Sequence, residues 1–407
     1  MAFMEQLRAF LRRLGPGFIT ASVVLGPGSI VASSRAGAES GYRLVWMLAV
    51  AALFMAAYAS MGARLGCALP ETPLRYVAQR AGRWLAAPVG LAAFLVTAGF
   101  QFGNNIGLAF GMSGLFDVPA WIWPPLFTAL SLWFLFRAKH LYQAMERLMM
   151  ALVAVMILSF FANLFWTGIH PLKLAQGMIP RIAPEDSLIA RAMLATTFSA
   201  VAAFYQAYLV RAKGWDQTRI RDAILDAWAG IAVLALICAA IMIGAAQTLH
   251  GTGRTFTQAG EIANLLGELL GPAANLVFCC GLAAASFSSF IVNAMIGGCL
   301  LADGLGMDAR FDARTAKGLS AVVMVVGCLV AMLVLALGQG GAQSLLIAQA
   351  ATLVAAPLCA IMLFVMSSSR RIMGPLANAP LITIIGAAGL LAVFWINGAW
   401  IISRLGW

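Results

Sequence analysis

Gly26, Pro27, Gly28 and Ser29 fall together at the middle of the apolar stretch VVLGPGSIVASSRAG, Val23 to Gly37. Glycine releases the backbone from helical dihedrals and proline removes an N–H, so the groups around them lose their helical hydrogen-bond partners. Inside a run long enough to span a bilayer, such backbone is tolerated only where protein buries it or where it lines a polar cavity. A half-helix starting near Ser29 would point its N–H groups and positive dipole end into such a cavity, which suits a carboxylate or a small anion. The tetrapeptide is predicted to frame a solute site, the alternative being a simple proline kink.

The remaining reactive side chains offer no catalytic set. His140, His170 and His250 fall in loops or at span ends, so no imidazole-based metal cluster or triad assembles from sequence neighbours. The seven cysteines lie in or beside apolar runs without Cys-x-x-Cys spacing and read as small core residues. No nucleophile, base or cofactor motif stands out. The chain is predicted not to be an enzyme and to carry no cofactor.

The elements that must position the break are membrane spans. The sequence is 62% hydrophobic and only 10% charged, and its mean hydropathy is +0.91, values of a polytopic membrane protein. Windows of roughly 20 apolar residues fall near 16–36, 44–66, 88–112, 118–136, 146–167, 188–210, 224–248, 273–300, 317–337, 344–366 and 380–401, which makes eleven predicted spans. With the N-terminus inside, nineteen of the 26 Lys and Arg residues fall in cytoplasmic segments and seven outside, so the chain is predicted to sit in the plasma (inner) membrane with a cytoplasmic N-terminus and an external C-terminus. Topology and anionic lipid then account for the net charge of +11, which removes the reason to expect nucleic acid as a partner. The expected partners are the lipid bilayer and a small solute or ion. The basic opening MAFMEQLRAFLRRLGPG lacks a cleavage site and is read as a lead-in to a first span that stays.

Short loops make 1–407 one transmembrane domain. Cutting after the fifth span gives two five-span repeats, 16–167 and 188–366, plus an extra span at 380–401, the arrangement of inverted-repeat transporters whose first helix in each repeat is discontinuous. TPLRYVAQRAGRWL and FTQAGEIANLLGELL follow the second span of each group and are predicted to lie at the interface. The second repeat opens with LATTFSAVAAFYQAYLVRAKGW, which has no central Gly or Pro. It reads equally as a second break or as a continuous helix with a polar stripe of Thr197, Tyr205, Gln206 and Tyr208.

At these spans the chain resembles the Nramp family of proton-coupled divalent-metal transporters. LGPGFITASVVLGPGSIVASSRAGAESGYRLVW is similar to the family's first helix, where a leading Gly-Pro-Gly precedes a broken Asp-Pro-Gly-Asn motif. AASFSSFIVNAMIGG resembles the eighth helix, AQAATLVAAPLCAIMLF the tenth, with Gln349 and Pro357, and SSRRIMG the basic turn after it. The resemblance implies an all-α integral membrane protein of the leucine-transporter fold with eleven transmembrane helices, working by alternating access.

The resemblance also places the substrate site, and there the chain departs from the family. The family's Asp, Asn and Met ligands correspond to Gly26, Ser29 and Ala203, its ligating carbonyl to Ala200, and its Pro-His to Phe204 and Tyr205. The acidic positions that relate to proton movement correspond to Gln101 and Asn104. Without carboxylate or thioether, transition-metal selectivity is not expected, and a metal substrate would be hydrated and magnesium-like rather than manganese or iron. Ser29, Gln206, Gln349, Tyr205 and Asn104, all uncharged, fit hydrogen bonding to a small anionic or neutral organic solute better than dehydrating a cation. Glu39, Arg191, Arg211, Asp226 and Asp303 are expected at or near span ends, snorkelling or paired in loops.

Overall fold

The computed structural model describes residues 15–252, 259–337 and 342–405, with side chains at 15–252, 260–337 and 355–398. The basic lead-in up to residue 14 and the side chain of Gln349 lie outside them.

The described chain is helical throughout. The first span is two rods, α1 (Pro16–Val24) and α2 (Pro27–Ser40), bent by 61°. Leu25 closes α1 through its N–H to the Ala21 carbonyl, Gly26 is extended (φ −93°, ψ −176°), and Pro27 opens α2, where its missing N–H costs nothing. There follow α3 (Val45–Ala68), α4 (Pro73–Ala81), α5 (Arg83–Phe116), α6 (Trp123–Arg137), α7 (Leu141–Thr167) and α8 (Pro171–Gly177). The second half holds α9 (Ser187–Thr197), α10 (Ala200–Ala212), α11 (Ile220–Thr248), α12 (Ala259–Leu270), α13 (Pro272–Gly304), α14 (Arg314–Leu337), α15 (Ala342–Ser368), α16 (Arg370–Met373) and α17 (Pro380–Leu405).

Among the described residues, eight helices are long and apolar enough to cross a membrane, or ten if each bent pair is one span. The expected eleven are not reached on this measure. The fourth expected span forms a 3-10 turn, Ala120–Ile122, that runs directly into the fifteen-residue α6, together about 28 Å against a hydrocarbon core of roughly 30 Å, but it is not among the spans that pass.

Helices α5 and α13 make the most extensive pairing and form the spine against which α14, α7 and α1 pack. The outer helices of the bundle carry exposed Leu130, Trp133, Phe165, Leu333 and Leu391, the lipid-facing pattern of a bundle in hydrocarbon. The amphipathic α4 is held by one carboxylate: Asp303, at the end of α13, accepts the N–H groups of Leu74 and Arg75 at 3.1 and 3.2 Å and the Thr72 hydroxyl at 2.5 Å. Asp303 and Asp226 therefore do not snorkel as expected. Both are 1% exposed, because each is consumed by backbone N–H groups at the start of a neighbouring helix.

Candidate functional site

Breaking a helix orphans the carbonyls of its last turn, and their partners define the site. In α1 these are Ala21, Ser22, Val23 and Val24. Ala21 takes the Leu25 N–H at 2.9 Å. The other three lie against hydroxyls: Ser289 of α13 donates to Val23 at 3.0 Å, Ser288 reaches Ser22 at 3.0 Å as well as the Ala285 carbonyl of its own helix at 2.9 Å, and Ser29 donates to Val24 at 2.6 Å.

Ser29 has a second carbonyl within reach, that of Thr196 in the last turn of α9, at 3.2 Å. A serine hydroxyl carries one proton. The oxygens of Val24, Thr196 and Ser29 thus converge on a point with one proton among them, where the negative dipole ends of α1 and α9 meet. The opposite face of the break is poorer in donors. Pro27 has no N–H and that of Ser29 turns back to the Gly26 carbonyl at 3.1 Å, so of the first three positions of α2 only Gly28 offers one. The convergence favours a cation over an anion.

Gly26 is closely packed: a Cβ there would stand 2.9 Å from Ser289 Oγ, too near without a shift of that hydroxyl, and 3.5 Å from Asn104 Oδ1. Asn104 begins an amide chain between α5 and α13. Its Nδ2 donates to Gln101 Oε1 at 3.3 Å, Asn293 Nδ2 donates to the same oxygen at 2.7 Å, and Gln101 Nε2 donates to the Phe290 carbonyl at 2.9 Å. Gly28 is exposed toward Thr196, whose Cγ2 would lie 3.9 Å from an added Cβ.

The second repeat's first span is also broken. Phe198 (φ −98°, ψ 90°) and Ser199 (φ −98°, ψ 98°) leave the helix between α9 and α10. Ser199 Oγ accepts the Ala202 N–H at 3.3 Å, an N-cap. The buried Phe198 ring packs edge-on to Tyr58 at 4.9 Å and near Phe54 at 5.9 Å. Of the two readings of LATTFSAVAAFYQAYLVRAKGW, the continuous helix is excluded.

The structure therefore brings Gly26, Pro27, Gly28, Ser29 and Asn104 together, with Gln101 one step behind. The other expected residues sit elsewhere. Ala200 opens α10, so its carbonyl points into that helix, and the Ala203 carbonyl lies against Gly62 of α3. Tyr205 stacks on Tyr208, with its hydroxyl 4.0 Å from Cys299 Sγ, turned away from the break. Gln206 bonds Thr20 of α1 and, with its amide nitrogen as donor, reaches the Pro16 carbonyl at 3.0 Å. Ser288, Ser289, Thr196 and Asn293 were not singled out in the sequence, although the Ser-Ser pair stands inside AASFSSFIVNAMIGG. Among the described residues, no group of three or more His, Cys, Asp or Glu could hold a metal ion, so any ion here meets neutral oxygens.

Comparison with known proteins agrees with this architecture. The sequence profile described as "Natural resistance-associated macrophage protein-like" (Nramp) matches residues 17–403. The divalent metal cation transporter MntH of Brucella suis is 24% identical over 97% of this chain and 88% of its own length. That of Verminephrobacter eiseniae is 26% identical over 96% and 89%. Among solved structures, the Eremococcus coleocola manganese transporter superposes with a TM-score of 0.83 at 16% identity, covering 98% of this chain and 87% of that one. MhsT in complex with L-phenylalanine gives 0.62 at 16% identity, covering 94% and 98%. The fold is that of the leucine transporters.

Proposed function

Because the chain belongs to the Nramp family, we propose that it is a secondary carrier moving a divalent metal cation by alternating access, bound where the two broken helices meet. One observation carries the reading: the carbonyls of Val24 and Thr196, ends of two half-helices, share the single proton of Ser29. A cation entering there would replace that proton as their partner. The serines on Ser22 and Val23 keep the neighbouring carbonyls oriented. Two relatives of similar length are named for divalent metal, which supports the choice over the organic solute, and the single N–H at the start of α2 gives a carboxylate little to hold.

The ligands are all hard and neutral. Gly26, Ser29 and Ala203 supply neither carboxylate nor sulfur, so the ion keeps much of its water and the site prefers a magnesium-like ion to soft-ligand selection of manganese. In the bilayer, the inner membrane, the N-terminus faces the cytoplasm and the C-terminus the exterior, a reading supported by the nineteen-to-seven distribution of Lys and Arg. Two five-span repeats, 16–167 and 188–366, each open with a broken helix, and 380–401 is the extra span.

Uptake of magnesium and manganese into proteoliposomes tests the reading. Flux of both ions in the millimolar range, mutually competitive, is expected, with calorimetry showing only weak manganese binding. Micromolar manganese binding overturns the hydrated-ion reading. Uptake of a carboxylate-bearing solute with no metal flux overturns the cation. Reporter fusions at Met1 and Trp407 that emerge on one side overturn the topology.

A further inference from the structure

Asp226 takes no part in the site just described. It stands in the second turn of α11 with both carboxylate oxygens on the start of α1: Oδ1 accepts the Gly15 N–H at 2.7 Å and Oδ2 the Gly17 N–H at 2.6 Å. Pro16, between them, has no N–H. The Gly-Pro-Gly spacing therefore presents two donors to the two oxygens of one carboxylate. The backbones nearly touch, since a side chain at Gly17 would collide with the Asp226 carbonyl and one at Gly230 with that of Gly17. The carboxylate also faces the positive end of the α1 dipole. The charged neighbours are Glu146 of α7 and Lys213 after α10, paired at 2.6 Å and lying against Gly15, with the buried Tyr142 hydroxyl beside them.

Helix α1 is a separate nine-residue rod set at 61° to α2, and its far end supplies the Ser22 to Val24 carbonyls of the site. Among the described residues, three sets of polar ties hold it: the serine hydroxyls at the break, Gln206 on Thr20 and on the Pro16 carbonyl, and Asp226. The last is charge-assisted and roughly twice as strong per bond as the neutral ones.

We infer that Asp226 is a positioning residue for transport: it clasps the Gly-Pro-Gly start of α1 to α11, holds that end of the carrier closed, and must let go for α1 to swing about Gly26. The inference rests on the carrier reading above, and places the clasp on the cytoplasmic side.

Hydrogen exchange on the purified full chain, followed by mass spectrometry, reads the clasp directly, because the Gly17 amide exchanges only when α1 lets go. Asp226→Asn and Asp226→Ala are expected to speed exchange in segment 15–24 about tenfold or more, leaving 27–40 and 45–68 unchanged. Asp226→Glu keeps the charge on a longer stem and is expected to recover part of the protection. In initial-rate magnesium uptake the Asn variant is expected to lose about fivefold in maximal rate with KM changed by less than about twofold, the signature of a conformational step. Unchanged exchange in 15–24 for both variants overturns the clasp. So does a rise spread equally over all three segments, which would make Asp226 an ordinary core residue. Exchange is read without any solute, so absent metal uptake by the wild type would count against the metal reading and leave the clasp standing.

Discussion

The two broken helices differ in extent and in chemistry: the first is bent by 61°, whereas the second leaves helical dihedrals at two residues within a stretch that still runs as one span. At the first, Gly26, Pro27 and Gly28 dismantle the helix locally, and hydroxyls from Ser29, Ser288 and Ser289 satisfy the carbonyls that result. At the second, Phe198 and Ser199, which follow two threonines of modest helix propensity, give way without Gly or Pro. There an aromatic anchor holds Phe198 extended against Tyr58, whose own hydroxyl is fixed to the Gly386 carbonyl at 2.9 Å. One break is written into the chain locally and repaired from a distance; the other is imposed from a distance and finished locally by the Ser199 cap. The difference predicts where each is vulnerable.

The largest effect comes from closing the space that the two breaks share. Gly28 is exposed, and a Cβ there would meet only Thr196 Cγ2, at 3.9 Å. Gly28→Leu is expected to reduce uptake to background while stability is unchanged or up by about 0.5–1 kcal/mol, because a helical glycine is replaced where a Cβ has room. Normal transport by that variant would reduce the first break to a kink. The second break answers instead to its anchor. Phe198→Ala is expected to cost about 3 kcal/mol, the low end for removing a buried ring, since lipid competes for the surface released. A loss no larger than that of a capping serine in a denaturation series would show that the anchor does not set the break.

Next come the hydroxyls of the first break. Ser288→Ala with Ser289→Ala strips the partners of the Ser22 and Val23 carbonyls and is expected to cost about 2 kcal/mol in total, roughly 1 kcal/mol per orphaned group. Uptake should fall as well, because those carbonyls lose the orientation the ion needs. A stability change with full transport would separate the serines from the site.

How much of this was legible in the sequence follows the same division. The first break was readable because its cause lies in three consecutive residues. Its partners were not: Ser288 and Ser289 are 266 positions from the carbonyls they cap, and an apolar span full of small residues does not say which face its serines present. The second break left alternatives open because its cause, the Phe198 contact with Tyr58, is tertiary. Gln206 and Tyr205 were expected at the solute because they are polar residues in the right span. Helical geometry turns them instead toward α1 and toward Tyr208. Asp226 looked like a residue at a span end because its distance from the loop is visible in sequence, whereas the Gly-Pro-Gly that buries it is some 200 residues away.

The smallest effect tests whether the second break has any local code at all. Ser199 Oγ accepts the Ala202 N–H at 3.3 Å, and its carbonyl takes that of Ala203 at 3.0 Å. Only the first bond depends on the side chain. Ser199→Ala should therefore cost about 1 kcal/mol, as loss of an N-cap does elsewhere, whereas Ser199→Gly should cost a few tenths because an uncapped glycine still starts a helix acceptably. Ser199→Asp should hold stability or raise it slightly, since a carboxylate faces the positive end of α10. The three variants must rank Asp, Gly, Ala if the cap is real. Equal melting for all three would assign the second break wholly to Phe198 and its aromatic neighbours, and the contrast between the two breaks would then be complete: one coded by its own residues, the other by the residues that surround it.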